Sequence, residues 1–212
     1  MAQTAPQSTP HPTDRPVPRT RRDQLRNGGQ GAVIGTAFGL MWFALGRSAV
    51  HGTARTLVLA AGAVLLAASL AAVVRLFVTA RRTPATRRAV PVTAPGGGPR
   101  FLRVVLIEVV VPAVGNNLLR GSLHRPELML TWSALVVGAH FFPLARTLRA
   151  PVLRVIGAAM IATVGLAALA TLLPGATPDV WQSVPGIGCA AVLWAGAAYS
   201  GLRAGRPAPA AA

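Results

Sequence analysis

The sequence predicts an all-α, multi-pass transmembrane bundle of six helices with both termini in the cytoplasm, and three observations lead there. The first is composition: 52% of the 212 residues are hydrophobic and 12% are charged, where a soluble domain carries about a quarter charged residues. The second is distribution. Apolar residues gather in six blocks, several reaching the roughly 20 residues that cross a bilayer, and the charge falls between them. The third is an arginine bias between alternate connections, which sets orientation.

Residues 1–27 are rich in Pro, Thr, Gln and Arg without an apolar run, and read as a disordered basic tail. Within it, Thr20-Arg21-Arg22-Asp23-Gln24-Leu25-Arg26 faintly echoes a twin-arginine export signal. The aromatic residue and cleavage site expected of such a signal do not follow. A six-helix membrane domain is expected over 28–203, with spans at about 30–46, 56–80, 101–119, 127–145, 151–173 and 179–202. Residues 204–212 form a second disordered tail. No block alternates polar and apolar residues with period two, so a β-barrel is not indicated.

The punctuation between blocks suits helices. Pro126-Glu127 and Thr177-Pro178-Asp179 place proline and an acid where a helix begins, Pro151 opens the fifth span, and Gly121 follows the third. Short connections at 47–55, 120–126 and 146–150 require antiparallel neighbours. The segment 81–100, with Pro84, Pro91, Pro95 and Gly96-Gly97-Gly98, reads as a flexible cytoplasmic linker between two three-helix halves. Inverted-repeat symmetry would be compatible with that division, although no residue-level match relates the halves.

All 21 basic residues are arginine. With the N-terminus inside, five fall in the first tail, seven over 75–103, three over 146–154 and two at the C-terminal end, so 17 are internal. Arg47, Arg55, Arg120 and Arg125 are the 4 external ones. A net charge of +16 is therefore explained by flanks of membrane spans, and no nucleic-acid partner is expected. The absence of lysine, with abundant Ala, Gly, Pro and Val, suggests a GC-rich bacterial genome and hence the inner cell membrane. Trp42, Trp132 and Trp181 near outer ends and Tyr199 near an inner end fit interfacial anchors, and Trp194 fits internal packing.

Two groups of residues stand out functionally. Gly31, Gly35 and Gly39 recur at a spacing of four in the first span, a small-residue face for a conformational hinge or dimer contact, or for close packing inside the bundle. Arg75, Glu108 and His140 interrupt apolar blocks at similar depth, about 7–9 Å inside the cytoplasmic boundary at 1.5 Å per residue. A charge in mid-membrane costs about 2.5–3.5 kcal/mol on insertion scales, so three meeting in one cluster would offset much of it. Pro112, Gly115 and Asn116 follow Glu108 on one helical face, and Ser133 precedes His140 by seven residues. The expected site is a polar seam of Arg75, Glu108, Asn116 and His140, acting as a proton or cation relay or as a structural ion pair.

No catalytic residue, metal site or cofactor is expected. A single intramembrane carboxylate cannot form an aspartyl dyad, and no zinc-protease, nucleophile-elbow or phosphate-loop motif occurs. Four histidines with one cysteine, Cys189, make neither a zinc site nor a disulfide. The function expected is that of a small permease-like or membrane-accessory protein with a polar intramembrane seam. The alternative is a structural or interaction protein assembling through the glycine face without a substrate. The partners expected are the lipid bilayer and a second copy or another membrane protein.

Overall fold

The computed structural model describes residues 20–84, 99–148 and 150–204. The described chain is helical throughout its regular structure: α1 (Arg21–Arg47), α2 (Gly52–Arg82), α3 (Pro99–Gly121), a short 3-10 turn (Pro126–Leu128), α4 (Met129–Thr147), α5 (Val152–Ala170) and α6 (Val180–Arg203). Among the described residues, α1, α2, α4 with the turn before it, α5 and α6 are long and apolar enough to cross a membrane. Within α3 the side chains of residues 99–105 and 108 lie outside the described residues, as do most of the expected tails and linker.

Local chemistry explains where the helices begin. α1 starts nine residues before its apolar block because Thr20 and Asp23 form a capping box. The Asp23 amide donates to Thr20 Oγ1 at 3.2 Å, and the Thr20 amide donates to Asp23 Oδ2 at 3.0 Å. Two orphan amides are satisfied reciprocally, so residues 21–27, expected as tail, are the first two turns of a helix. Gly52 opens α2 at φ 61°, a left-handed conformation that glycine adopts without strain. In the connection after α3, His124 takes φ 53°, one of the few non-glycine residue types enriched there.

The packing is inverted relative to a soluble protein. Buried positions on α1 are Leu25, Gly29, Ala32, Thr36, Gly39, Phe43 and Gly46, alternating steps of four and three, with Trp42 beside them. Large aliphatic residues look outward: Val64 is 69% exposed, Val155 67% and Leu169 62%. Stripes of small residues inside and broad aliphatic faces outside are what lipid-embedded helices need, because lipid tails solvate leucine and close packing holds helices together.

α6 is the hub. It packs against α1, α2, α4 and α5, and α3 reaches the rest through α4 and the 3-10 turn. The expected division into two three-helix halves is therefore not the arrangement found, since the last helix joins most closely with the first. The reason lies in glycines at the crossings. A Cβ on Gly46 would lie 2.7 Å from the Ile187 amide nitrogen and 2.8 Å from Gly186 Cα, so α1 and α6 touch backbone to backbone. Phe43 covers Gly62 between α1 and α2, Ala72 faces Gly201 between α2 and α6, and Gly138 meets Gly157 between α4 and α5.

Aromatic residues fill what remains. Trp194 is buried, lies over Gly39, and packs its ring 5.4 Å from that of Phe43. Trp42, expected as an interfacial anchor, is instead buried in the same core, because it sits beside the α1 stripe that meets α6. Trp181 and Trp132 are half-buried. Tyr199 is exposed and stacks under the Arg203 guanidinium at 4.7 Å.

The Gly46–Gly186 contact has no room for a methyl group. Gly46→Ala and Gly186→Ala should each destabilise the bundle by about 1–3 kcal/mol, the cost of overpacking a closed core. Gly31→Ala, on an exposed position with open space around it, should be neutral or stabilising by up to about 1 kcal/mol from helix propensity. Thermal unfolding of the detergent-solubilised variants checks both, and equal stability of the Gly46 and Gly31 variants would remove the crossing from its central place.

Candidate functional site

The polar positions separate into a knot in the core and a seam at the periphery. The knot ties α1, α2 and α6 together near their middles. Thr36 Oγ1 donates to the Ala32 carbonyl at 2.7 Å and shares a hydrogen bond of 2.6 Å with Ser69 Oγ. Trp194 Nε1 donates to the Thr36 carbonyl at 3.1 Å. Ser69 and Thr36 are buried, and all their polar atoms in this knot are partnered, as an apolar medium demands. The sequence reading did not select Thr36, Ser69 or Trp194 as a group, although the two hydroxyls do stand out in otherwise apolar blocks.

A second arrangement repairs a broken helix. Pro185 lies inside α6 and cannot donate to the carbonyl one turn back, that of Trp181. The Thr131 hydroxyl of α4 donates to that Trp181 carbonyl instead. The C-terminal end of α1 and the N-terminal end of α6 are joined by Gln182, whose Nε2 donates to the Leu45 carbonyl at 3.1 Å and to Ser48 Oγ at 3.0 Å.

The expected glycine face is only partly used. Gly39 lies under the Trp194 indole, Gly35 is half-buried with a virtual Cβ 3.8 Å from the Leu193 carbonyl, and Gly31 is exposed with nothing near it. A strict spacing of four drifts around the helix. The face that packs alternates four and three and passes through Gly29, Gly39 and Gly46. Its partners are α2 and α6 of the same chain.

The seam lies between α3 and α4. Asn116 Nδ2 donates to Ser133 Oγ at 3.1 Å, and the Trp132 indole covers Gly115 and donates to the Val111 carbonyl at 3.4 Å. Asn116 Oδ1 is buried without a hydrogen-bond partner. These contacts fix the antiparallel register. Eight residues back from Asn116 is Glu108 and seven on from Ser133 is His140, displacements of about 12 and 10.5 Å in the same direction at 1.5 Å per residue. Residues 108 and 140 therefore occupy the same level of the helix pair. The Glu108 side chain itself lies outside the described residues. His140 is half-buried, with the Phe141 ring edge-on at 6.4 Å.

Arg75 does not share this seam. α2 packs on α1 and α6 and builds no interface with α3 or α4 among the described residues. Arg75 is exposed and stands seven residues before Arg82. The expected three-membered cluster required α2, α3 and α4 to be mutual neighbours, and α6 occupies the place that would have allowed it. From Leu57, the first large apolar residue of α2, to Arg75 is about 27 Å along the helix, close to the roughly 30 Å of a hydrocarbon core. Arg75 thus lies towards one end of the apolar stretch, with Leu76, Phe77 and Val78 after it.

Among the described residues no three His, Cys, Asp or Glu side chains gather as a metal site would require. Cys189 is buried with Sγ 3.6 Å from Thr163 Oγ1. Comparison of the chain with models of known protein families, with curated proteins and with solved structures finds no match in any of the three.

The Asn116–Ser133 bond can be weighed by a double-mutant cycle. Ser133→Ala should cost about 1 kcal/mol, because it leaves a second polar atom of Asn116 without a partner. Asn116→Leu with Ser133→Ala together should be close to neutral, since both partners are then apolar. Additive losses in detergent unfolding would show that the two side chains do not depend on one another.

Proposed function

We propose that the chain is a bacterial inner-membrane protein with six spans and both termini in the cytoplasm, acting as a small permease-like or membrane-accessory protein through the α3–α4 seam. The observation that carries the reading is the register of that pair, which brings Glu108 and His140 to one level two turns from a buried Asn116 oxygen without a partner. Ionisable residues within apolar helices commonly mark proton, ion or solute paths. α3 reaches the bundle chiefly through α4, so the seam lies at the edge of the fold, where two helices can separate without disturbing the α1–α6 core.

Orientation rests on the 17 to 4 division of arginines. Arg75 acts in this reading as a headgroup anchor at the inner end of α2, its aliphatic stem lying along the apolar surface. The alternative of assembly through a glycine face would rest on Gly31 and Gly35, because Gly29, Gly39 and Gly46 pack against α2 and α6 of the same chain.

Two experiments test the reading. In a Cys189→Ala background, cysteines at Ser122 and Ala176 should react with an impermeant thiol reagent added to intact cells, and one at Gly97 should not. Labelling at Gly97 alone would reverse the orientation, and labelling at all three would break the six-span arrangement. For the seam, liposomes containing the protein should dissipate an imposed pH gradient faster than empty ones. Glu108→Gln should abolish the difference without altering thermal stability, since the carboxylate that carries the proton is gone. Unchanged flux in that variant, or none above empty liposomes in the parent, would exclude a relay at the seam.

A further inference from the structure

A second site of charge lies at the turn between α4 and α5, apart from the α3–α4 seam. Ala145, Arg146, Pro151 and Arg154 line an open cleft there of about 340 Å³. That is at the lower end of the range for ligand sites, about 300–1,000 Å³. Ala145 is buried and forms an apolar floor, while Arg146 and Arg154 are exposed and come from different helices. No hydrogen bond or ion pair engages either guanidinium among the described residues.

The chain holds no counter-charge for them nearby. Between Leu128 and Pro178 the sequence contains no Asp or Glu. The acids whose side chains are described are engaged elsewhere: Asp23 with Thr20, Glu127 with Arg125 and Asp179 with Thr177. Helix dipoles do not substitute, because the C-terminal end of α4 and the N-terminal end of α5 bring opposite partial charges to the same turn. Two exposed guanidinium groups sharing a cleft without an internal partner are free to receive an external anion. Their planar forks of N–H donors match phosphate oxygens better than a point charge would. Leu148, Val152 and Val155 lie exposed beside the cleft and offer an apolar surface on which acyl chains can run.

We propose that the cleft between Arg146 and Arg154 binds the phosphate group of an anionic phospholipid. The proposal rests on the membrane reading above for placing this turn at a lipid surface, but it does not depend on which surface, nor on transport at the seam.

The test uses the full chain in a neutral detergent, with thermal unfolding followed on addition of phosphatidylglycerol, phosphatidylcholine or inorganic phosphate. Phosphatidylglycerol should raise the Tm by several degrees and phosphatidylcholine should not, because its quaternary ammonium neutralises the phosphate. The double variant R146Q/R154Q should lose most of that shift, and R120Q/R125Q, at the opposite end of the bundle, should keep it. Stabilisation by inorganic phosphate alone, lost in R146Q/R154Q, would support the phosphate site but assign its source to a soluble ligand. A shift retained in R146Q/R154Q, equal shifts with both lipids, or no shift with any addition would overturn the proposal. Should R146Q/R154Q fail to fold, the single R154Q variant read by native mass spectrometry should show a several-fold loss of bound phosphatidylglycerol, and unchanged adducts would overturn the proposal equally. Detergent micelles have no sidedness, so a wrong orientation or an inactive seam leaves this result unaffected.

Discussion

The bundle depends on the approach of α1 to α6 at Gly46 and Gly186, where two backbones touch with no side chain between them. Lipid removes the usual reason for helices to associate, because a leucine is as well solvated by acyl chains as by protein. What remains is dispersion between closely fitted surfaces, and that rises steeply as the axes come together. Glycine at the crossing lets the axes approach, and the same device recurs at Gly62, Gly201, Gly138 with Gly157, Gly188 and Gly115. Every major helix pair meeting in this fold has such a glycine, α4 meeting α6 where Leu130 lies over Gly186. The large aliphatic side chains, which would carry the core of a soluble protein, are free to face outward.

Hydrogen bonds add a second layer of specification. An average interhelical hydrogen bond in a membrane protein contributes only about 0.6 kcal/mol, so the Thr36–Ser69–Trp194 knot is not the main source of cohesion. Its effect is selective. A sliding or rotated α2 would leave Ser69 and Thr36 unpartnered in an apolar medium, a cost several times larger than the bond itself. Thr131 does the same for α4, since the Trp181 carbonyl released by Pro185 has no water to turn to. Glycine sets how near the helices come, and the hydroxyls set at which register they stop.

Much of this architecture is legible in the sequence. Helix number, and helix limits to within a few residues at most ends, follow from block length and from Pro, Gly and acid punctuation. The early start of α1 is equally readable, in the Thr20–Asp23 spacing, although the apolar block begins only nine residues later. Which helices would be neighbours was not legible. Short loops force α3 beside α4 and α4 beside α5, yet nothing in α6 announces that it packs on four others. Arg75 consequently read as part of the seam, whereas Asn116 and His140 did not depend on that choice. The glycine face suffered from a smaller error of geometry: a repeat of exact fours leaves the contact stripe after two turns, and Gly31 leaves it first.

The position of α6 also bears on how the molecule is made. Without it, α1 and α2 form one pair and α3, α4 and α5 form a second group, with no substantial interface between the two among the described residues. α6 follows the others in the chain, so a ribosome delivers five helices before the one that unites them. During that interval the inner faces of α1 and α5, lined by Thr36 and Thr163, stand open to lipid, to the translocation machinery or to a chaperone. Biogenesis of this protein is thus a matter of keeping two unfinished parts apart and unspoiled until the last helix enters.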